Sequence, residues 1–408
     1  AGGYLSLFNE NQVSASGVPY DDQAGGSFQL TAGLGVTFFL TPFFSLGVSA
    51  AYRYYHGMYH GIRGSLATAL HVSGFQRKVD LYDIRFEEVY PVLFKYYDEA
   101  PLGSAGLINR ERFPIEDIEV TVFSERFMDR PKKCPSPESL RSGESGAVSL
   151  NALFTDRVLG IEEGTKVAAE VIVAYTMNGV RRETKTVESL RIHNRNALTW
   201  DDDRKAAAFI STKDPSVLRL SKMVGGMVRK ESYGAVNLNM RMGMALYEAL
   251  STYGLNYVID PNTPSYEEAS GDVSVIDFIQ FPYQTLYYRG GDCDDLSILF
   301  CSLLEAIGIQ TALITIPGHI FMAFSLDISQ EEARKAMDRS DLLILHDDTV
   351  WVPVEMTKIG AGFTEAWSSG AHQWSAHSDK GAARFYPIHD CWLVYEASGT
   401  PQHAMQTP

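Results

Sequence analysis

Three residues in the last third of the chain carry functional groups in an order that suits nucleophilic catalysis. Cys293 follows Gly290-Gly291-Asp292 and opens an apolar run in which Leu296, Leu299, Phe300, Leu303, Leu304 and Ile307 recur at helical spacing. The spacing predicts a buried helix from about residue 293 to 307, with the sulfur on its first turn. Unpaired backbone N–H groups and the positive end of the helix dipole at that turn favour thiolate over thiol. His319 comes after Gly318 and the apolar run 312–316, and Glu355 lies in Trp351-Val-Pro-Val-Glu355-Met-Thr357. A helix-start cysteine, a strand histidine and a strand carboxylate are the parts of a Cys-His-acid triad.

The segments Gly-Gly-Asp-Cys293-Asp-Asp, Gly-His319-Ile-Phe-Met-Ala-Phe and Trp351-Val-Pro-Val-Glu355-Met-Thr together resemble the transglutaminase-like superfamily of papain-fold cysteine enzymes. The resemblance covers roughly residues 200 to 397. It implies Cys293 as nucleophile, His319 as base and Glu355 as the orienting acid, where most members have aspartate. Glutamate is one methylene longer. The resemblance also implies acyl transfer at a peptide or protein amide, with no cofactor required for the reaction.

Other residues near these motifs are candidates for supporting roles. The backbone N–H of Cys293 is a natural oxyanion donor, Gln280 is a second candidate, and Trp351 is placed to cover the imidazole. The stretch 363–374, with Trp367 and Trp374, reads either as a loop over the cleft that binds an extended peptide or as a packed aromatic connection. Asp292, Asp294 and Asp295 crowd the thiol with negative charge, which raises a cysteine pKa unless a cation, Arg289 or the imidazolium form of His319 compensates. Two readings of these aspartates stand. Some bacterial transglutaminase-like peptidases hold calcium at a similar acidic turn, which places a calcium site at Asp292 and Asp294; alternatively Asp295 caps or braces the helix start.

The composition bounds the partners. At 408 residues with 45% hydrophobic and 21% charged residues the chain is globular and long enough for several domains. A net charge of -15 argues against nucleic acid, whose phosphates need clustered cations. Four cysteines are too few for a disulfide framework: Cys301 reads as buried core, and a pairing of Cys134 with Cys391 stays open. No apolar run is long enough for a helical membrane span. A chain beginning at Ala1 is expected to be a processed secreted form or an excised fragment.

Residues 1–80 differ from the rest. Phe28, Leu30, Ala32, Leu34, Val36 and Phe38 alternate with small or polar residues. The pattern recurs in Phe44, Leu46, Val48, Ala50, Tyr52 and Tyr54, then in Ile62, Leu66, Leu70 and Val72, opposed by Arg63, Ser65, Ala67 and His71. Long strands with one apolar and one small polar face form the dyad pattern of outer-membrane barrel strands, yet three or four strands cannot close a barrel. The segment is therefore either the tail of a larger barrel or an ordinary antiparallel meander packed on a neighbour.

Residues 84–196 predict short strands at 87–97, 118–123, 147–154, 167–175 and 181–192, with a loop at 129–146 carrying three prolines and two glycines. This suggests an immunoglobulin-like sandwich lacking a Cys/Trp/Cys core, with a structural role. The three aspartates 201–203 read as an acidic helix start, with cation binding as the alternative. Helices are predicted from Asp214 to Lys230 and from Asn237 to Tyr253, the latter with Met240, Met244, Leu246 and Leu250 inward. Residues 257–271 then lead to the stretch 275–282, which enters the active-site turn, and 330–338 reads as a short exposed helix. Strands are predicted at 310–316, 320–325, 342–345, 350–354 and 392–395.

The expected fold class is α+β: a papain-like catalytic domain at 197–408, the sandwich at 84–196 and the meander at 1–80. The expected protein is a cysteine peptidase of the bacterial cell envelope, in periplasm or outer membrane. A transglutaminase that accepts amines and a non-catalytic assembly module are the alternatives.

Overall fold

A computed structural model describes residues 29–41, 44–55, 59–70, 79–231, 236–259, 275–336 and 339–400. Its α and β elements are mixed, and among the described residues every sheet but one two-stranded pair is antiparallel. The chain divides into two compact units, residues 1–78 and 79–408.

The first unit is a meander of β1 (Gln29–Thr41), β2 (Phe44–Tyr55) and β3 (Tyr59–Leu70), in that order. The register aligns Leu34 with Ala50 and Gly64, and Val36 with Val48 and Leu66. Residues directly opposite one another share a face, so the alternation in sequence becomes one continuous apolar surface. That surface is exposed, with Leu34 at 64%, Leu66 at 71% and Ile62 at 82%. The other face is close-packed at the backbone: a Cβ on Gly33 would lie 2.7 Å from that of Ala51. Phe28, His71 and Val72 lie outside the described residues.

The second unit begins with β4 (Val79–Phe86), β5 (Gly103–Asn109), β6 (Ile115–Phe123), β7 (Lys132–Cys134), β8 (Ser139–Leu140), β9 (Ser145–Leu150), β10 (Thr165–Met177) and β11 (Val180–Ile192). One sheet has the order β4-β5-β9 and the other β11-β10-β6-β7, with β8 on β6. Leu107, Val148 and Leu150 of the first meet Val120, Val122, Val171 and Val173 of the second in one apolar core. The β10–β11 hairpin turns at Asn178-Gly179, both at positive φ (50° and 75°), the turn that matches strand twist. The strand expected at 87–97 is instead two 3₁₀ turns, Pro91–Leu93 and Tyr96–Asp98, because Pro91 has no N–H for a ladder. β5 was not expected, since its two glycines and small residues carry little strand signal.

The rest of the unit contains β12 (Ala197–Thr199), β13 (Asn256–Tyr257), β14 (Ile276–Phe278), β15 (Gly290–Gly291), β16 (Thr311–Ile316), β17 (His319–Ser329), β18 (Ile344–His346), β19 (Thr349–Val354) and β20 (Arg384–Pro387). Its helices are α1 (Pro215–Lys230), α2 (Leu238–Tyr253), α3 (Pro282–Tyr288), α4 (Cys293–Glu305), α5 (Gln330–Ala336), α6 (Phe363–Ser378) and α7 (Ile388–Trp392). The acidic run caps a 3₁₀ stretch at Asp203–Phe209, with the Asp202 carboxylate accepting from the Arg204 N–H. Asp214 caps α1 and Asn237 caps α2, which ends at Gly254 with φ 87°. Met244 faces outward (40% exposed), and Met242 takes the inward place expected for it. Of the expected segment 257–271, residues 260–271 lie outside the described residues.

A five-stranded antiparallel sheet, β18-β19-β17-β16-β20, follows the cysteine helix. Ile320, Met322, Phe324, Val352 and Val354 share a core with Leu296, Leu299 and Leu303 of α4, whereas Phe321, Ala323 and Trp351 form a separate cluster. The strand expected at 392–395 is absent: Trp392 ends α7, and the sheet's edge is β20. The larger core also takes in Val89, Leu93, Phe154 and Leu159, so it runs continuously from the sandwich side into the cysteine lobe.

Candidate active site

The turn before α4 fixes the sulfur. Arg289, at φ 56°, supplies the left-handed residue there, while Gly290 and Gly291 pair as β15 with β13. Gly291 is needed for proximity, because a Cβ there would lie 2.5 Å from the Asp295 Cβ. Asp292 and Asp295 form a reciprocal capping box at the helix start. Cys293 sits half-buried on the first helical residue, and Cys301, two turns along, is fully buried.

His319 opens β17 after the tight Pro317-Gly318 turn (Gly318 φ 74°), pairing with Ile316. Glu355 follows β19, whose Val354 pairs with Met322. These two strands bring His319 Nε2 to 2.6 Å from Glu355 Oε2, so the longer acid reaches the imidazole. Glu355 is 1% exposed and fully engaged: Oε1 accepts from the Thr357 N–H (3.0 Å) and hydroxyl (2.7 Å), and Oε2 also accepts from Gln373 Nε2 (2.6 Å). The His319 ring stacks on Phe321, 6.0 Å between centroids. With Nε2 on the carboxylate, Nδ1 is the nitrogen left for the thiol. The backbone N–H groups of Ile320, the residue after His319, and of Asp294 lie near enough to the Cys293 sulfur to favour its thiolate.

Electrostatics overturn one expectation. Burial pushes the Cys293 thiol up to about 12, with Asp292 and Glu355 adding to the rise and the two N–H groups only partly opposing it. Desolvation and the neighbouring acids thus favour the thiol at this turn, and attack needs a base to take its proton. For Glu355, burial acts to raise the carboxyl, but the hydrogen bond and charge of His319 and the Thr357 bonds hold it below its usual value.

Behind the sulfur lies a cluster of acids. Asp277, Asp294 and Asp295 are buried, and burial raises all three. Asp277 accepts from the Trp200 indole (2.7 Å), while Asp295 accepts from the Gln280 backbone (2.7 Å) and its side-chain Nε2 (2.6 Å). Arg289, a candidate to offset this charge, lies instead over the Tyr253 ring at 4.8 Å. Oxygens of Asp292, Asp294 and Asp295 lie within 4.8 Å of one another. That oxygen-only set suits a hard cation, although calcium takes roughly six to eight oxygens and the Asp295 and Asp294 oxygens already accept N–H groups.

The remaining candidates sit as follows. Gln280 places its amide nitrogen on Asp295 rather than toward the sulfur, and its Oε1 is buried without a partner. Trp351 is 4% exposed and packs edge-on against Phe385, so the ring on His319 is Phe321. The 363–374 stretch is the first three turns of α6 and not a loop. Trp367 donates its indole N–H to the Leu342 carbonyl (2.7 Å), and Trp374 packs edge-on against Phe385.

Two residues escaped sequence reasoning. Gln373 binds Glu355 from α6; the only trace in sequence is Gly370, where a Cβ would lie 3.0 Å from the Pro353 carbonyl carbon and oxygen, so small residues mark where the helix meets β19. Tyr257 pairs with Gly291 and lies close enough to Cys293 for the sulfur's charge to raise its phenol, after burial. No protein-family model matches the chain, and no curated protein sequence matches it.

Proposed function

We propose that the second unit is a transglutaminase-like cysteine peptidase, cleaving a peptide or protein amide through a thioester on Cys293. The observation that carries this reading is the 2.6 Å His319–Glu355 pair, buried at the acid and next in sequence to Ile320, whose backbone N–H favours the Cys293 thiolate. In the first step the sulfur attacks the amide carbonyl while His319 Nδ1 takes the thiol proton. Glu355 stays ionised and holds the imidazolium in orientation. The backbone N–H of Cys293, at the helix start, is the donor this chain offers the developing oxyanion. Collapse breaks the C–N bond, and His319 returns its proton to the leaving amine. Water, deprotonated by His319, then attacks the thioester, releasing the acid and restoring the thiol. An amine in place of water turns the same thioester to cross-linking.

A second reading, a non-catalytic binding or assembly module, draws support from the acids that crowd the sulfur, with Asp292 and Asp295 capping its helix and Asp294 buried beside it. A thiol-reactive probe that mimics an amide separates the two. Labelling of the intact chain that disappears in Cys293→Ala and falls sharply in Glu355→Ala supports the peptidase, and equal labelling of all three favours the module.

The surrounding parts fit a cell-envelope enzyme of this kind. Residues 84–196 serve as an immunoglobulin-like spacer, and the exposed apolar face of the first unit serves as an outer-membrane contact. No helix among the described residues is long and apolar enough to cross a membrane. Calcium, if held by Asp292 and Asp294, would neutralise the acids behind the sulfur and so lower the energy of the thiolate. No step of the reaction runs through it.

A further inference from the structure

We propose a second binding site in the second unit, in the cavity bounded by α1, the end of α2 and α3, for an organic anion whose carboxylate or phosphate is carried on a flat or apolar body. The cavity measures about 530 Å³, the size of a small-molecule site. Its charged lining is Arg195 and Arg219, with no carboxylate, in a chain of net charge -15. Among the described residues its one ion pair joins Arg195 to Glu162 at 3.3 Å, and that glutamate side chain is 75% exposed, so the contact is screened.

Two of the lining residues, Arg195 and Tyr283, each carry a buried polar atom without a partner, Nε and the hydroxyl. A buried donor left unbonded is costly, so a small rotation that brings either group to an anion in the cavity is favoured, while the Arg195 and Arg219 guanidinium groups neutralise its charge. The rest of the wall supplies flat surface. Tyr287 and Tyr288 are 66% and 61% exposed, their rings edge-on with centroids 5.4 Å apart, and Tyr253 stands nearby at the end of α2. Exposed phenol rings beside two guanidinium groups suit a ligand with one apolar body and one anionic end. This site goes beyond the peptidase reading, since nothing in it requires the sulfur.

The test uses the full chain carrying Cys293→Ala, titrated calorimetrically with phenyl phosphate, phenylacetate and the neutral benzyl alcohol. At least one anion is expected to bind saturably and about tenfold or more tighter than benzyl alcohol, with Arg219→Gln removing that advantage, as loss of a charged hydrogen bond does. Tyr283→Phe is expected to weaken the anion by a smaller factor. The better of the two anions identifies the group as a phosphate ester or a carboxylic acid. Arg219 is exposed, and an unchanged circular dichroism spectrum shows that its variant is folded. Anions that bind no better than benzyl alcohol, or that bind equally to Arg219→Gln, overturn the proposal.

Discussion

The sandwich core and the surroundings of Cys293 are both buried against antiparallel sheet, yet they are filled differently. Between the two sheets the buried side chains are Leu107, Val120, Val148, Val171, Val173 and their like, and the one thiol there, Cys134, accepts from the Asn151 N–H at 3.3 Å. Around α4 the chain buries Asp277, Asp294, Asp295 and Glu355 and leaves Gln280 Oε1 without a partner. Polar groups out of water are destabilising unless bonded or paired. The sandwich region also buries polar groups, but these are mainly the amides Asn109 and Asn151 and one acid, Glu111, paired with Arg182, whereas several carboxylates gather around the cysteine helix, the contrast expected if that place serves the proposed chemistry.

The comparison is broken most directly by moving a carboxylate into the other region. Val173→Asp puts an acid with no prepared partner between the sheets and is expected to cost more than about 4 kcal/mol, enough to prevent cooperative folding of the second unit. Urea denaturation monitored by far-UV circular dichroism reads it. A stable Val173→Asp protein would mean that the sandwich tolerates charge as the site does, and the contrast would lapse.

Glu355→Gln asks what the buried acid does where it belongs. The amide keeps the shape but offers His319 Nε2 a weaker, neutral acceptor. The expected stability loss is about 1–3 kcal/mol, that of a buried hydrogen bond made worse. Probe labelling of Cys293 is expected to slow by about 10³–10⁴, the penalty of a misoriented base. The pH dependence has a definite sign. Because the folded carboxyl is held below its usual value, its contribution is fully present above the ordinary carboxylate range and is lost as pH falls through the folded value. That acid limb is expected in the parent and absent from Glu355→Gln, and identical limbs would show that the pair is not what stabilises the region.

Asp294→Asn should act in the opposite direction. Burial, with Asp292 and other acids adding, raises the Asp294 carboxyl, so the folded state holds a proton that the unfolded chain gives up. The group is neutral in effect at low pH and destabilises increasingly as pH rises from the ordinary carboxylate value toward the folded one. Removing it should raise stability near neutral pH, and more so the higher the pH above the ordinary carboxylate value. A loss of stability seen only with calcium present would instead show that the cluster is compensated by a bound cation.

What sequence could reveal divides along the same line. The cysteine helix was legible because Leu296, Leu299, Phe300, Leu303 and Leu304 repeat at helical spacing behind Gly-Gly-Asp, and β10 and β11 because they alternate. α6 was not: Ser, Gly, His and Trp are weak helix signals, and it is packing of Gly370 on Pro353 that holds it there. Pro91 turned an apolar run into 3₁₀ turns. The order Cys293, His319, Glu355 could be read along the chain, but Gln373 on Glu355 depends on tertiary placement. The rise of the Cys293 thiol depends on burial, which neighbouring charges announce only in part.

The smallest effect is expected where alternation is clearest. β3 carries its apolar residues on a face as regular as that of β10, but Leu66 is 71% exposed whereas Val173 is fully buried. Period two therefore identifies an apolar face without saying what covers it. In aqueous buffer Leu66→Arg is expected to change stability by less than about 0.5 kcal/mol, as exposed substitutions do. With vesicles of phosphatidylethanolamine and phosphatidylglycerol present, the same change should weaken membrane binding measurably if the face meets lipid, because arginine near the bilayer midplane costs about 2–4 kcal/mol. Destabilisation in buffer alone would mean that protein covers Leu66, which would make the meander a second version of the sandwich rather than its counterpart.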